Sequence, residues 1–265
     1  VPDAFYLPTD DPGRFVATPH TQGPWNADLQ HAGPPSALLA RAVDEVATSV
    51  DGPAQVTRLT VEILGAVPVG EVTVRAALAR PGRSVELVEA ELSAAGRPVL
   101  RARVWRIRRT PVDLPTGAIT APVPPPPRPA SASEVSEPRW QTGYLRAIEW
   151  RFVEGHFERP GPASVWARQR VPLVAGEEPS PLQRTVLLAD SGNGLSRLLE
   201  MADWWFINTE LTVHLHRRPH GEWIFVRAAT TLDPHGSGLA ETVLSDATGR
   251  VGRGAQALMV GRRAD

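Results

Sequence analysis

Cysteine and lysine are both missing from this 265-residue chain. The first absence excludes disulfides, a thiol nucleophile and a thiolate metal site. The second excludes lysine Schiff-base chemistry and leaves arginine as the basic residue at all 28 positions. No run of 18 or more apolar residues occurs, so membrane insertion is not expected. Residues 1–28 also lack the basic start and apolar centre of a signal peptide, so a soluble, cytoplasmic protein is the expectation. Charge of neither sign dominates, with 29 acidic residues, a net charge of −1 and a pI near 6.7, which disfavours nucleic acid as a partner. A Gly-x-Ser-x-Gly elbow, a P-loop and a Gly-x-Gly-x-x-Gly turn are absent as well, which argues against a serine α/β-hydrolase, a nucleotide site and a dinucleotide cofactor.

What is present is a 42% hydrophobic chain, enough for a packed core. Residues 1–30 read as loop or short strands anchored by Phe5, Tyr6, Phe15 and Trp25. From Pro34, Leu38, Leu39, Ala42, Val43 and Val46 fall on one helical stripe about four turns long. Runs of strand character follow at Gln55–Gly65, Glu71–Arg80, Ser84–Ala94 and Val99–Arg108, separated by Gly-containing turns. A helix followed by hairpin-linked strands predicts one helix enclosed by an antiparallel sheet.

Nine prolines lie between Pro111 and Pro138; such a stretch favours extended polyproline II over sheet. Beyond it the order of elements returns. Leu59-Thr60-Val61, Pro68, Gly70-Glu71 and Val74-Arg75-Ala76-Ala77 are echoed by Leu211-Thr212-Val213, Pro219, Gly221-Glu222 and Val226-Arg227-Ala228-Ala229. The chain therefore divides into residues 1–110, a linker at 111–138 and residues 139–265, two copies of one fold.

Within the second copy, Ser180–Met201 carries a carboxylate, Asp190, between Ala189 and Ser191 in an otherwise apolar stretch. Ser180 as N-cap, Pro181 at the first helical position and Gln183 three residues after the cap predict a helix start. Gly192-Asn193-Gly194 predicts its end just past the acid. A buried carboxylate requires partners, and no arginine lies between Arg184 and Arg197. Taken alone, Asp190 equally fits an acid that braces the glycine loop.

A long helix wrapped by an antiparallel sheet, present twice, resembles the double hotdog (α+β) architecture of the acyl-CoA thioesterase II family. The strings that carry the resemblance are His31-Ala32-Gly33-Pro34-Pro35, Leu188-Ala189-Asp190, Leu211–Arg217 followed by Gly221-Glu222-Trp223, and Gly254-Ala255-Gln256. The resemblance implies hydrolysis of a fatty or related acyl-CoA without metal or cofactor. An acid on the second helix, a small polar residue at the start of the next strand and a glutamine on the last strand would hold the attacking water. Asp190, Asn208 and Gln256 fit these positions; Asn208 departs from the usual threonine, and Thr209 stands adjacent. His31 and Gly33 are the expected substrate contacts, with the Gly33 or Ser36 N–H as oxyanion donor. Only the second half would be catalytic, because the repeat sets Leu38 near the Asp190 position and Arg103 at the Gln256 position.

His214 and His216 share a strand face, a spacing compatible with metal binding, but no third ligand is evident; they are expected at the surface or between sheets. Trp204, Trp205 and Trp223 are expected to be packing residues. Two other readings stay open: a non-catalytic acyl-CoA or lipid binder, and an enoyl-thioester hydratase. The second would pair an acid with a histidine, and no histidine lies near the second helix between His156 and His214. Hotdog edges also tend to pair, so a homo-oligomer, a dimer of double hotdogs, is expected.

Overall fold

The computed structural model describes residues 3–119, 121–141 and 143–263; the outermost residues of the two expected halves, 1–2 and 264–265, lie outside them. Short strands β1 (Tyr6–Pro8) and β2 (Arg14–Ala17) lead into α1 (Gly33–Glu45). Pro34 and Pro35 occupy the first turn of α1, where a missing N–H forfeits no helical bond. Four long strands follow: β3 (Ala54–Ile63), β4 (Glu71–Arg80), β5 (Val85–Ala94) and β6 (Arg97–Arg108). They are the strands expected from the sequence. Residues 109–137 carry no helix or strand among the described residues. They lie against the second half, where Trp166 Nε1 donates to Pro126 O and Arg151 Nη1 to Pro129 O and Ala130 O.

The second half opens with α2 (Gly143–Arg146), β7 (Ile148–His156) and β8 (Arg159–Gln169). Next come α3 (Pro181–Ala189), α4 (Gly192–Leu195), β9 (Trp204–Asn208), β10 (Glu210–Leu215), β11 (Ile224–Asp233), β12 (Ser237–Asp246) and β13 (Gly249–Arg262). The strands form one antiparallel sheet in the order β1-β2-β4-β5-β6-β3-β10-β13-β12-β11-β8-β7, with β9 also on β13. This order reads the same from either end when β4, β5, β6 and β3 are matched to β11, β12, β13 and β10. The two copies join at β3–β10, where Thr60 stands opposite Thr212, with Leu59 opposite Val213 and Val61 opposite Leu211. The repeated Leu-Thr-Val string thus pairs with its own copy about a pseudo-twofold, with Thr212 Oγ1 3.2 Å from Thr60 Oγ1.

Alternation fills the inner face. Leu100, Ala102 and Val104 of β6 are buried while Arg101 and Arg103 face out, and Leu59, Val61, Leu211, Val213 and Leu215 line the seam. Each buried leucine or valine of this set contributes roughly 1.5–3 kcal/mol. α1 lies over β4–β6, α3 over β8 and β10–β12, and the two helices touch each other. None of the described helices is long and apolar enough to cross a membrane.

Several carboxylates are tied into the frame as anions. Asp246 accepts from Arg217 Nη1 at 2.6 Å and Nη2 at 2.7 Å, and from Thr248 N and Oγ1. Burial alone would raise it, but these hydrogen bonds outweigh burial and hold it well below the usual carboxylate range. Burial likewise opposes, and hydrogen bonds to Thr48 and Ser49 or to Arg168 and Arg151 overcome, in Glu86 and Glu149, which are also lowered. A folded pKa below the unfolded one gives stability that is fully present above the unfolded value and lost as pH falls toward the folded one. The denaturant midpoint is therefore expected to hold from pH 7 to about 5 and to fall below about pH 4. A midpoint constant down to pH 3 would remove these groups from the account.

Candidate active site

Asp190 is where the sequence sets it, at the end of the second long helix. Ser180 Oγ accepts from Gln183 N, and Gln183 Oε1 accepts from Ser180 N, closing the expected capping box. Asp190 is the residue after the last turn of α3, and the chain then enters the single turn of α4. Glycine is needed at 192 because a Cβ there would stand 2.8 Å from Gln256 Oε1 and from Thr242 Cγ2. The loop can therefore press against β12 and β13.

The carboxylate is 2% exposed and fully engaged. Oδ1 accepts from Asn208 Nδ2 at 2.9 Å and from Gln256 Nε2 at 3.1 Å. Gln256 Nε2 also reaches Asp190 O at 3.0 Å, while Gln256 Oε1 accepts from Asn193 N at 3.0 Å. Both ends of the Gln256 amide are thus spent on the α3–α4 loop, and its side chain lies behind the carboxylate. Asn208, and not Thr209, touches the acid; Thr209 Oγ1 turns to Ala257 O.

The other oxygen meets a residue from the first half. Asp190 Oδ2 is 3.0 Å from His31 Nδ1. The contact follows from the approach of the start of α1 to the end of α3, so close that a Cβ at Gly33 would stand 2.5 Å from Leu187 O. Gly33 N–H also points at His31 Nδ1, at 3.0 Å. That nitrogen has a single in-plane position. The hydrogen bond recorded there is the one it accepts from Gly33 N–H, and the Asp190 carboxylate stands beside the ring as a close contact.

The imidazole lies flat on the Tyr144 ring, with centroids 3.8 Å apart and planes at 11°. Tyr144 OH donates to Leu187 O at 2.9 Å and is 2.8 Å from Ser191 Oγ. Burial pushes its phenol far above the ordinary range, so it stays neutral and acts as a fixed plate under the histidine.

Asp190, His31, Asn193 and Asn208 stand on the wall of a cavity of about 500 Å³ whose remaining lining includes Trp25, Leu29, Ile63, Val67, Trp205, Ile207 and Met259. A few convergent polar groups on an apolar cavity suit an acyl chain with one reacting carbon. Gly33 and Gln256 are outside this lining. The expected oxyanion donors are both engaged elsewhere, Gly33 N–H on His31 Nδ1 and Ser36 N–H on Ala32 O.

The sheet register corrects the match across the repeat. Thr60 pairs with Arg103 and Thr212 with Ala255, so Val104, one residue on from Arg103, is the counterpart of Gln256. It is fully buried and apolar, which leaves the first half without a glutamine on this row. His214 and His216 are exposed on β10 and its end, and no cluster of His, Asp and Glu able to hold a metal occurs among the described residues. Trp205 is more than packing: it lines the cavity beside Trp25, with ring centroids 5.7 Å apart, under the Arg263 guanidinium. Sequence reasoning missed Tyr144 and Asn193. A buried tyrosine in a four-residue helix gives no periodic signal, and Asn193 was read only as part of a helix-ending run.

The acyl-CoA thioesterase N-terminal domain model matches residues 21–107 and the C-terminal domain model residues 123–260. A search of curated proteins finds no match. Among solved structures, a candidate thioesterase II from Thermobifida fusca YX superposes with a TM-score of 0.72 at 20% identity, over 97% of this chain and 95% of that one. A hot dog fold protein of unknown function from Alicyclobacillus acidocaldarius gives 0.68 at 16%, over 97% and 96%. An acyl-CoA thioesterase II from Mycobacterium marinum gives 0.64 at 14%, over 97% and 95%. At these identities the likeness establishes the double hotdog fold, and the two domain models, matched in order along the chain, establish that it belongs to the acyl-CoA thioesterase family.

Proposed function

We propose that the protein hydrolyses the thioester of a fatty or related acyl-CoA, with Asp190 as the source of basicity for the attacking water. The acyl chain lies along Trp25, Trp205, Ile207 and Met259, and the thioester carbon stands at the Asp190–Asn208 end. Water oxygen bonds to that carbon as its proton passes to the acid and its partner. The tetrahedral intermediate then expels the sulfur, which takes the same proton and leaves as free CoA. Asn208 holds Asp190 from the cavity side and Gln256 from behind, so in this reading the glutamine orients the acid and does not touch the water.

The observation that carries the proposal is the carboxylate itself, buried, amide-braced and set on the wall of an apolar cavity in a chain of this family. The test is release of free CoA thiol from acyl-CoAs of graded chain length. Turnover with a chain-length optimum is the expected result. Acyl-CoA binding without CoA release would instead favour a non-catalytic binder. The Asp190–His31 contact gives enoyl-thioester hydration a specific footing, since it supplies the acid–histidine pair that the sequence order concealed; a hydroxyacyl product would select that reading. A cytoplasmic location and a dimer of double hotdogs remain part of the proposal.

A further inference from the structure

The cavity reaches both faces of the sheet. Asp190 and His31 line it on the helical side, while Thr209, which is exposed, lines it at the outer surface. With the thioester carbon beside Asn208 and the acyl chain toward Ile207 and Trp205, the arm that joins the acyl group to CoA leaves the other way, past Thr209 and along β10. Glu210, Thr212 and His214 are the outward residues of that strand, and Leu211, Val213 and Leu215 are buried. His214 stands between Arg58 on β3 and Arg253 on β13, and the same row continues through Val243 to Arg227. Among the described residues none of these three arginines has an ion pair, and Arg58 Nε is buried with no hydrogen-bond partner. The arginines of the neighbouring rows differ: Arg103 holds Glu89 at 2.7 Å and Arg101 holds Glu91 at 2.9 Å. Glu241, one row nearer the cavity and opposite Ala255, pairs with none of the three.

We infer that the phosphates of CoA bind on this outer face at Arg58, His214 and Arg253, with the pantetheine arm lying over Thr212 and Ala255 on its way from Thr209. This rests on the thioesterase reading and extends it to the CoA half of the substrate. The lengths agree. Five residues along the chain take Thr209 to His214, about 17 Å at ~3.4 Å per residue. About thirteen bonds join the sulfur of CoA to its first phosphorus, which when extended is about 15 Å at ~3.5 Å per three bonds. The track between is low, because Thr60, Thr212 and Ala255 stand side by side in one row. Glu210 is turned away from the arm, with Oε1 on Ala257 N and Oε2 on Thr212 Oγ1. Neighbouring strands lie about 4.8 Å apart, so Arg58 and Arg253 start about 10 Å from each other and can converge on one pyrophosphate. Burial, and then the charges of Arg253 and Arg58, hold the His214 imidazole below its ordinary pKa. At pH 7 the ring is therefore neutral and offers an N–H, while the two guanidiniums supply the positive charge.

The test measures thiol release by the full-length protein from acyl-CoA and from the acyl-pantetheine of the same chain, which carries no phosphate. In the wild type KM is expected to be about 10–100-fold lower for acyl-CoA, the range of one or two charge-assisted hydrogen bonds. The double variant Arg58→Gln, Arg253→Gln is expected to raise KM for acyl-CoA by a similar factor. Its kcat and its KM for acyl-pantetheine should match the wild type. Arg101→Gln with Arg103→Gln removes the same charge from paired positions and is expected to leave both KM values within about twofold. Circular dichroism and the melting temperature confirm that each variant is folded, and the comparison of the two substrates on the wild type needs no variant. Equal KM for the two substrates in the wild type overturns the placement. So does a folded double variant whose KM for acyl-CoA stays at the wild-type value, or whose KM rises equally on both substrates. A wild-type protein that releases thiol from neither substrate overturns the thioesterase reading itself.

Discussion

Asp190→Asn is expected to lower CoA release by about 10³–10⁴-fold with little change in KM or in the melting temperature. At 1.36 kcal/mol per factor of ten this is about 4–5.5 kcal/mol of lost transition-state stabilisation. Asparagine has the shape of aspartate, so its oxygen continues to accept from Asn208 and Gln256, which now donate at 2.9 Å and 3.1 Å. The change falls on the other side. There an uncharged NH₂ takes the place of the oxygen 3.0 Å from His31 Nδ1, so the carboxylate that would take the water proton is gone. Free thiol measured against acyl-CoA concentration separates kcat from KM, and a variant within tenfold of wild-type kcat would reduce Asp190 to a structural brace of the Gly192–Gly194 loop.

The parts of this site that the sequence made legible are those set by local rules. Ser180, Pro181 and Gln183 announce a helix start through capping chemistry that operates within four residues, and the box is closed in the structure. The repeat announced two copies of one fold because both must bury the same alternating rows, and Thr60 meets Thr212 as a result. What stayed hidden depends on how distant elements meet. His31 and Asp190 are 159 positions apart in the chain, and their contact exists because α1 and α3 pack with the start of one against the end of the other. No periodicity within either helix encodes that. The one-residue error that matched Arg103 to Gln256 has a similar origin: a slip of one residue exchanges the two faces of a strand, and only the pairing of Thr60 and Thr212 with their neighbours fixes which face is inward. Tyr144 lies just beyond the proline-rich stretch, where composition predicts a linker and says nothing of a residue that docks back into the site.

Arg106→Ala is expected to destabilise the protein by about 3–5 kcal/mol, a large part of the 5–15 kcal/mol typical of a folded domain. Arg106 occupies an inward position of β6, in line with Leu100, Ala102 and Val104, and its guanidinium is buried with Glu86, Nε standing 2.7 Å from Oε1. Glu86, fully buried, also accepts from Thr48 Oγ1 at 2.6 Å and from Ser49 N and Oγ at 2.7 Å. Arg106 Nη1 donates to Val43 O at 3.2 Å and Val46 O at 2.9 Å, and Nη2 reaches Ala47 O at 3.4 Å. The pair therefore staples the C-terminal end of α1, whose last carbonyls have no helical donors, to β5 and β6. Alanine would leave the Glu86 charge without its counterion and uncover those carbonyls together. Replacing both partners, Arg106→Met with Glu86→Leu, removes the charge instead of stranding it, so the double variant should recover most of the loss. Thirteen helical residues separate this end of α1 from the His31 end, about 20 Å at 1.5 Å per residue. Chemical denaturation should thus show the deficit while kcat, measured well below the melting temperature, stays close to wild type. A loss under about 1 kcal/mol for Arg106→Ala would mean that water reaches the Glu86 carboxylate and that α1 is held chiefly by its contact with α3, in which case the staple is not what keeps the helix, and with it His31, in place.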